Sequence, residues 1–318
     1  MLPIHTKIPH ADRLLFGCMG LGGDWNASFT TKEQQANDFN ALDCAIEHGY
    51  RFFDHADIYT RGKAEQVFGD YLAQHPSLRD QLTVQTKCAI RFADEHAPGR
   101  YDFSPAYVRD CVEQSLRRLK TDRVDVLLLH RPDPLMDIRQ VADVLQQLQA
   151  EQKVLHIGVS NFGWPQLQLL QSALETPIVA NQLQMSLKDH AWLEQNVLTG
   201  MSEGAQHFFS YGTVEYCQQQ QVQLQAWSSL AKGAYSGAPK TAQDDVVAAK
   251  VAELAALYQT SAEAIVLAWL MRHPAGIQPV IGTTNVQRIA ACAKARGLLL
   301  SRDHWYQLYV AARGHALP

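Results

Sequence analysis

Long hydrophobic runs are missing from this 318-residue chain. No stretch approaches the ~20 consecutive apolar residues that a membrane-spanning helix needs, so no membrane partner is expected. Runs of lysine and arginine are missing too, and the net charge is −4. A broad nucleic-acid or acidic-membrane surface would need the opposite balance, so neither partner is expected. The six cysteines (Cys18, Cys44, Cys88, Cys111, Cys217 and Cys292) include no C-x-x-C pair and no neighbouring histidine pattern. That excludes a recognisable zinc motif and suits reduced thiols in apolar surroundings, so no metal is expected. Residues 1–13 carry no basic segment followed by an apolar core, the mark of a secretory leader. These absences together make a cytoplasmic protein the expectation. Also absent is a G-x-G-x-x-G turn after the first apolar run, which a doubly wound dinucleotide-binding sheet would carry.

What the chain does have is a repeated alternation. At 47% hydrophobic and 19% charged residues it is ordinary for a globular domain. Short apolar runs are expected as strands at 14–19, 50–53, 82–86, 124–129, 154–159, 178–180, 222–226 and 278–281. Between them, apolar residues at helical spacing predict helices over 31–48, 63–74, 138–150, 164–173, 213–220 and 286–295. Another helix opens at Ser104-Pro105, an N-cap followed by proline in the first turn. The long helical region 245–271 divides near Thr260-Ser261, and a last amphipathic helix covers 302–312. The run 124–129 is apolar without alternation, as expected for a parallel strand covered on both faces. Eight βα units with no linker between them predict one α/β domain, a (β/α)8 TIM barrel with an extra C-terminal helix. Residues 188–210 are polar with weak periodicity, and the segments 89–103 and 232–244 are long loops. Such loops shape pockets, and Phe92, Trp164, Trp192, Phe208 and Tyr235 are the aromatics available to line one.

In a barrel of this kind the C-terminal ends of all strands face one cavity. The second strand ends at Asp54, with Tyr59 in the loop beyond it. Further round stand Lys87, His130, Ser160-Asn161, Asn181-Gln182, Trp227-Ser228 and Gly282-Thr283-Thr284. Each alone has a plain explanation as a polar residue opening a loop, a helix cap or a core aromatic. Four titratable residues converging on one rim are harder to assign to chance.

The motifs Phe53-Asp54-His55-Ala56-Asp57-Ile58-Tyr59, Gln85-Thr86-Lys87, Leu127-Leu128-Leu129-His130, Ile157-Gly158-Val159-Ser160-Asn161-Phe162, Asn181-Gln182 and Val280-Ile281-Gly282-Thr283-Thr284 with Arg288 stand in order along the chain. In these the sequence resembles the aldo-keto reductase superfamily, NAD(P)H-dependent reductases built on a (β/α)8 barrel. The segment Ala226-Trp227-Ser228-Ser229-Leu230 and the terminal helix with Trp305 are similar to a bacterial oxidoreductase branch. The resemblance implies NADPH-dependent reduction of a small aldehyde or ketone by a catalytic set Asp54, Tyr59, Lys87 and His130.

A phenol has a pKa of ~10. An ammonium about 4 Å away, at an effective dielectric of ~20, favours the phenolate by roughly 4 kcal/mol, and a carboxylate at about 7 Å opposes it by roughly 2.4. The expected net is a lowering of little more than one pKa unit, roughly 1.8 kcal/mol. Asp54 then anchors Lys87, and His130 orients the substrate oxygen. His55 and Asp57 are read as structural or loop-facing.

For the cofactor, Ser160, Asn161 and Gln182 are expected at the nicotinamide carboxamide, with Trp227 stacking on the ring. Ser228, Ser229, Leu230, Lys232 and Gly233, together with Gly22 and Gly23, suit the pyrophosphate. Gly282, Thr283, Thr284 and Arg288 open the last barrel helix, where an anion is favoured. The arginine points to the 2′-phosphate of NADP(H), with NAD(H) the weaker fit. Where many relatives place glutamate and asparagine around the adenine, this chain has Ala291 and Cys292. Three other readings remain open: a cofactor-binding, redox-sensing subunit with little turnover, a metal-dependent barrel hydrolase using His55, Asp54, Asp57 and His130, and a protein with no catalytic role. No sequence feature sets an oligomeric state.

Overall fold

The computed structural model describes residues 2–318; Met1 lies outside the described residues. Eight strands are β1 (Leu15–Gly17), β2 (Phe52–Asp54), β3 (Thr83–Cys88), β4 (Val124–Leu129), β5 (Val154–Ser160), β6 (Ala180–Gln184), β7 (Gln223–Trp227) and β8 (Gln278–Ile281). Each lies parallel to its sequence neighbours, and β8 closes the ring against β1. The register sets Asp54 opposite Gln85, Ser160 opposite Gln182 and Gln182 opposite Gln225. Side chains two apart along a strand share a face, so the inside of the barrel is read as every second residue.

That inward set is graded along the barrel axis. At the N-terminal end Leu15, Phe52, Val126, Leu128 and Val280 form an apolar floor, plugged from below by Leu2, Ile4, Ile8 and Ala11 of the leading segment. Above it the inward residues turn polar: Asp54, Gln85, Gln182 and Gln225, all buried. Gly158 sits where two strands crowd the interior. A Cβ there would come within 2.4 Å of Leu128 Cδ2 and 2.9 Å of the Ala180 carbonyl oxygen, so only glycine fits. The larger core lies between barrel and helices, where Phe16, Phe53, Phe68, Leu127, Leu145, Val159, Leu254 and Ile281 are all fully buried. Burying side chains of that size stabilises the fold by about 1.5–3 kcal/mol each.

Local sequence explains where the helices begin. The side chains of Thr31, Asp137, Ser261, Asn285 and Ser301 each accept a backbone N–H in the first turn of the helix that follows. Pro105 opens its helix without a missing bond. The break at Thr260-Ser261 separates helices Ala242–Leu257 and Ala262–Met271, which cross at 95°.

Three expectations need correction. Strand β6 begins at Ala180 rather than 178 and continues to Gln184, because Asn181 and Gln182 are buried and paired with β7 rather than opening a loop. The stretch 188–210 contains the helix Ala191–Val197 and a short turn Ser202–Gln206. Helix Ala191–Val197 buries Trp192 and Leu193, too short a pattern for periodicity to reveal. The loop 89–103 folds into an antiparallel hairpin pairing Ile90–Arg91 with Arg100–Tyr101.

The terminal helix Arg302–Arg313 is fixed from both ends. Trp305 stacks on Trp269 at 5.2 Å and 7°, and each indole N–H donates to the other's carbonyl. At the far end Arg313 Nε meets Glu194 Oε1 at 2.7 Å, both side chains almost fully buried. All six cysteines are free. No single helix among the described residues is long and apolar enough to cross a membrane.

Candidate active site

Beyond Asp54 the chain turns sharply. Thr60, Arg61 and Gly62 all take left-handed backbone angles, φ 47°, 58° and 86°. For a β-branched threonine this is strained. Its hydroxyl secures the turn by donating to the Leu21 carbonyl at 2.9 Å. The turn swings the Tyr59 phenol back over the strand ends, to Lys87. The Lys87 ammonium, 1% exposed, donates to Asp54 Oδ2 at 2.7 Å, to the His55 carbonyl at 2.9 Å and to Tyr59 Oη at 2.9 Å. All three of its donors are thus used. From the end of β4, the His130 ring stands 6.2 Å from the Tyr59 ring, edge to face.

The electrostatics differ from the expectation in sign. Burial raises the phenol's pKa, Lys87 lowers it and Asp54 raises it again, for a net rise. A sequence gives charges but no burial, and here burial outweighs the ammonium. Tyr59 therefore keeps its proton at neutral pH. Burial also pulls Lys87 down, but Asp54 and then Tyr59 more than offset it, so the ammonium stays charged. Burial, with Lys87 and Arg131 adding to it, holds His130 well below the ordinary imidazole range, so the ring is neutral.

Beneath this triad lies a set of amides that sequence reading missed. Gln85 and Gln182 both donate to Asp54 Oδ1, at 2.5 and 3.1 Å, while Lys87 takes the other oxygen. Both also donate to Gln225 Oε1, at 2.9 and 3.1 Å, and Gln225 Nε2 donates back to Gln85 Oε1 at 3.1 Å. A carboxylate only accepts, so Asp54 fixes which way each amide faces. The Gln182 Oε1 is the one acceptor of the three amides without a protein partner, and Gln182 lines the cavity above. The signal was present: Gln85 and Gln225 precede Lys87 and Trp227 by two, one step deeper on the same face.

The cavity over the site measures about 610 Å³, within the range of small-molecule sites. All the expected site residues line it except Lys87, which lies behind Tyr59, and Gly22, Gly23 and Thr284. Gly22 stands off the cavity wall. Its N–H donates to Asp38 Oδ2 at 2.8 Å, and the turn packs on Lys63 and Thr60. Thr284 packs against Gly20. Ser160 and Asn161 are largely committed to each other and to the backbone. Asn161 Nδ2 donates to Ser160 Oγ and the His130 carbonyl, and Ser160 Oγ donates to the Gln182 carbonyl. Asn161 Oδ1 accepts the Trp227 indole N–H at 3.1 Å, which sets the angle of that ring.

At the far wall, Ser228, Ala231, Lys232 and Gly233 all have positive φ, a strained loop of the kind found wrapped against ligands. The Arg288 guanidinium reaches over Gly233. Neither Lys232 nor Arg288 has a carboxylate partner among the described residues.

A second cavity of about 620 Å³ adjoins the first, sharing Arg131, Asn161 and Trp227. Of the loop aromatics, Trp192 and Phe208 line this second cavity and Phe92, Trp164 and Tyr235 line neither; Trp25, unremarked in the sequence, lines the first. Among the described residues no group of three or more His, Cys, Asp or Glu is placed to hold a metal ion. His55 is fully buried against Phe68, its ring centroid 4.6 Å away.

A family model described as the aldo/keto reductase family matches residues 13–310. The protein named "Uncharacterized oxidoreductase YcsN" from Bacillus subtilis (strain 168) is 34% identical over 310 residues, covering 96% of each chain. A 6-dehydroglucose reductase from Agrobacterium fabrum is 35% identical over 311 residues, 95% of this chain and 94% of that one. Among solved structures, an aldo-keto reductase from Klebsiella pneumoniae in complex with NADPH has the same fold. It aligns with a TM-score of 0.75 at 23% identity, over 97% of this chain and 92% of that one.

Proposed function

Because the chain belongs to the aldo/keto reductase family, we propose that it is an NADPH-dependent reductase of a small aldehyde or ketone, with Tyr59 as the proton donor. The observation that carries this reading is the Lys87 ammonium bridging Asp54 and Tyr59 Oη, at 2.7 and 2.9 Å, just behind the point where those two residues line an open cavity. NADPH supplies a hydride to the carbonyl carbon when bound. Everything else falls to the chain's own residues. Tyr59 is protonated at rest and gives its proton to the substrate oxygen as negative charge grows there. The phenolate left behind is stabilised by an ammonium already 2.9 Å away, with no reorganisation at the moment of reaction. Asp54 holds that ammonium and keeps it charged. Neutral His130 donates its ring N–H to the same substrate oxygen and fixes its direction.

The cofactor fits what the cavity presents. Gln182 Oε1, turned outward by the Asp54 network, accepts from the carboxamide NH₂ of the nicotinamide. Trp227, held by Asn161, offers a flat face to the ring. Lys232 and the left-handed loop 228–233 take the pyrophosphate, and Thr283, Gly282 and Arg288 take the 2′-phosphate, favouring NADPH over NADH. Tyr59→Phe tests the assignment: turnover of a simple aldehyde falls by 10³-fold or more (about 4 kcal/mol of transition-state stabilisation), while fluorescence titration gives an unchanged NADPH affinity. A variant that lost cofactor binding instead would make the tyrosine a structural residue.

A further inference from the structure

Arg131 follows His130 directly and lines both cavities, at the wall they share. It is half-buried, yet its guanidinium forms no hydrogen bond or ion pair with any described residue. Three carboxylates line the two cavities, Asp54, Asp189 and Glu263. Glu263, on the side of Cys292 and Arg288, makes no ion pair with Arg131, and the other two and those of the neighbouring loops are committed elsewhere. Asp133 accepts the backbone N–H of Phe103 and of Leu135, each at 2.9 Å. Asp102 takes Arg91 and Ser104, and Asp189 takes the Ser186 hydroxyl. Asp244 holds Lys188 through both oxygens, at 2.7 Å, and Asp54 holds Lys87. A guanidinium offers five donors in a planar fork, and one kept half out of water without an acceptor calls for a partner that arrives with the ligand. Nor does overall charge account for it, since the chain is net negative.

Position separates Arg131 from the other unpaired cations. Lys232 and Arg288 stand on the wall assigned to phosphates, whereas Arg131 is one residue from the histidine at the reacting end. Consecutive Cα atoms lie about 3.8 Å apart, so an anion on Arg131 sits only a few bonds from a carbonyl oxygen on His130. We propose that Arg131 is a carboxylate anchor, and that the substrate is a short oxo acid whose carbonyl sits under Tyr59 and His130 and whose acid end lies on Arg131 towards the second cavity. The planar carboxylate matches the guanidinium fork with two parallel hydrogen bonds. The inference rests on the reductase reading and names the substrate class for that site.

The test compares 4-oxobutanoate with its methyl ester, in the wild type, Arg131→Met and Arg131→Lys. In the wild type kcat/KM for the acid exceeds that for the ester roughly tenfold to hundredfold, the range for a charge-assisted hydrogen bond. In Arg131→Met the ratio falls to near one, through KM for the acid; in Arg131→Lys it is intermediate, a point charge replacing the fork. An equilibrium titration of succinate against the NADP⁺ complex, read by tryptophan fluorescence, shows binding that Arg131→Met removes. Equal turnover of acid and ester by the wild type, or an unchanged ratio in Arg131→Met, overturns the anchor while leaving the reductase reading standing. Weakened NADPH affinity in Arg131→Met would reassign the residue to the cofactor and also overturn it. Where the wild type reduces neither compound, the succinate titration decides: binding lost in Arg131→Met supports the anchor, and absent binding refutes it. The reductase reading is judged separately, by simple aldehydes and Tyr59→Phe.

Discussion

Replacing Gln225 by methionine, a straight chain of similar length, removes three buried hydrogen bonds at once. Gln85 and Gln182 lose the acceptor they share, at 2.9 and 3.1 Å, and Gln85 Oε1 loses its donor at 3.1 Å. Asp54 still holds both amides by their other N–H, so neither can swing away to a new partner. Three polar atoms are left unsatisfied inside the barrel, each costing about 1–3 kcal/mol. Allowing for partial relaxation, the expected loss is about 3–5 kcal/mol, a large share of the 5–15 kcal/mol typical of folded domains. Urea unfolding at neutral pH reads it as a lower midpoint with an unchanged slope. The decisive comparison is with Gln85→Met and the double variant. Removing both members of the reciprocal pair takes two of the three orphaned atoms away with Gln85, so the double variant loses about 1–3 kcal/mol less than the two single losses combined. A Gln225→Met protein within 1 kcal/mol of wild type, or strictly additive losses, would refute the network as a unit.

Other outcomes follow from the same geometry. The buried His55 ring has neither nitrogen bonded, and burial, then Lys87, push its pKa down to about 3 from an ordinary value of about 6.5. Below pH ~6.5 the unfolded chain binds a proton that the folded one refuses, so this residue's contribution is whole above that pH and lost as pH falls towards 3. His55→Phe should therefore gain on wild type by up to about 1.4 kcal/mol per pH unit across the window, and parallel stability profiles would show the ring is not excluded from the proton. Arg313→Met leaves the buried Glu194 without its one close cation, with only His190 and His207 at 3.7 and 4.0 Å, and should cost up to about 3–5 kcal/mol. The double change with Glu194→Gln should recover part of that in thermal unfolding, and no recovery would mean the pair is not the cause.

How much of this was legible beforehand depends on the distance over which each feature is decided. Helix Lys63–Gln74 and strand β4 were readable to the residue, because a 3.6-residue stripe and an unbroken apolar run are local patterns. Eight such units without a linker imply a closed barrel, and closure gathers Asp54, Lys87 and His130 at one end of it, with Asp54 and His130 on the cavity wall. Strand β6 was misjudged because Asn181 and Gln182 read as loop residues, and only their pairing with β7 makes them interior.

The sequence by itself determined the alternation, the barrel and the identity of the groups at its rim, all encoded by near neighbours in the chain. Tertiary structure alone decided that Tyr59 stays protonated, that the Gly22 N–H is spent on Asp38, that Gln182 turns its oxygen outward and that Arg131 is left without a partner. Each of those depends on burial and on contacts between residues far apart in sequence, such as Asp54 and Gln182 or Gln85 and Gln225. A pKa or a free hydrogen-bonding atom is a property of surroundings, and surroundings exist only once the chain has closed.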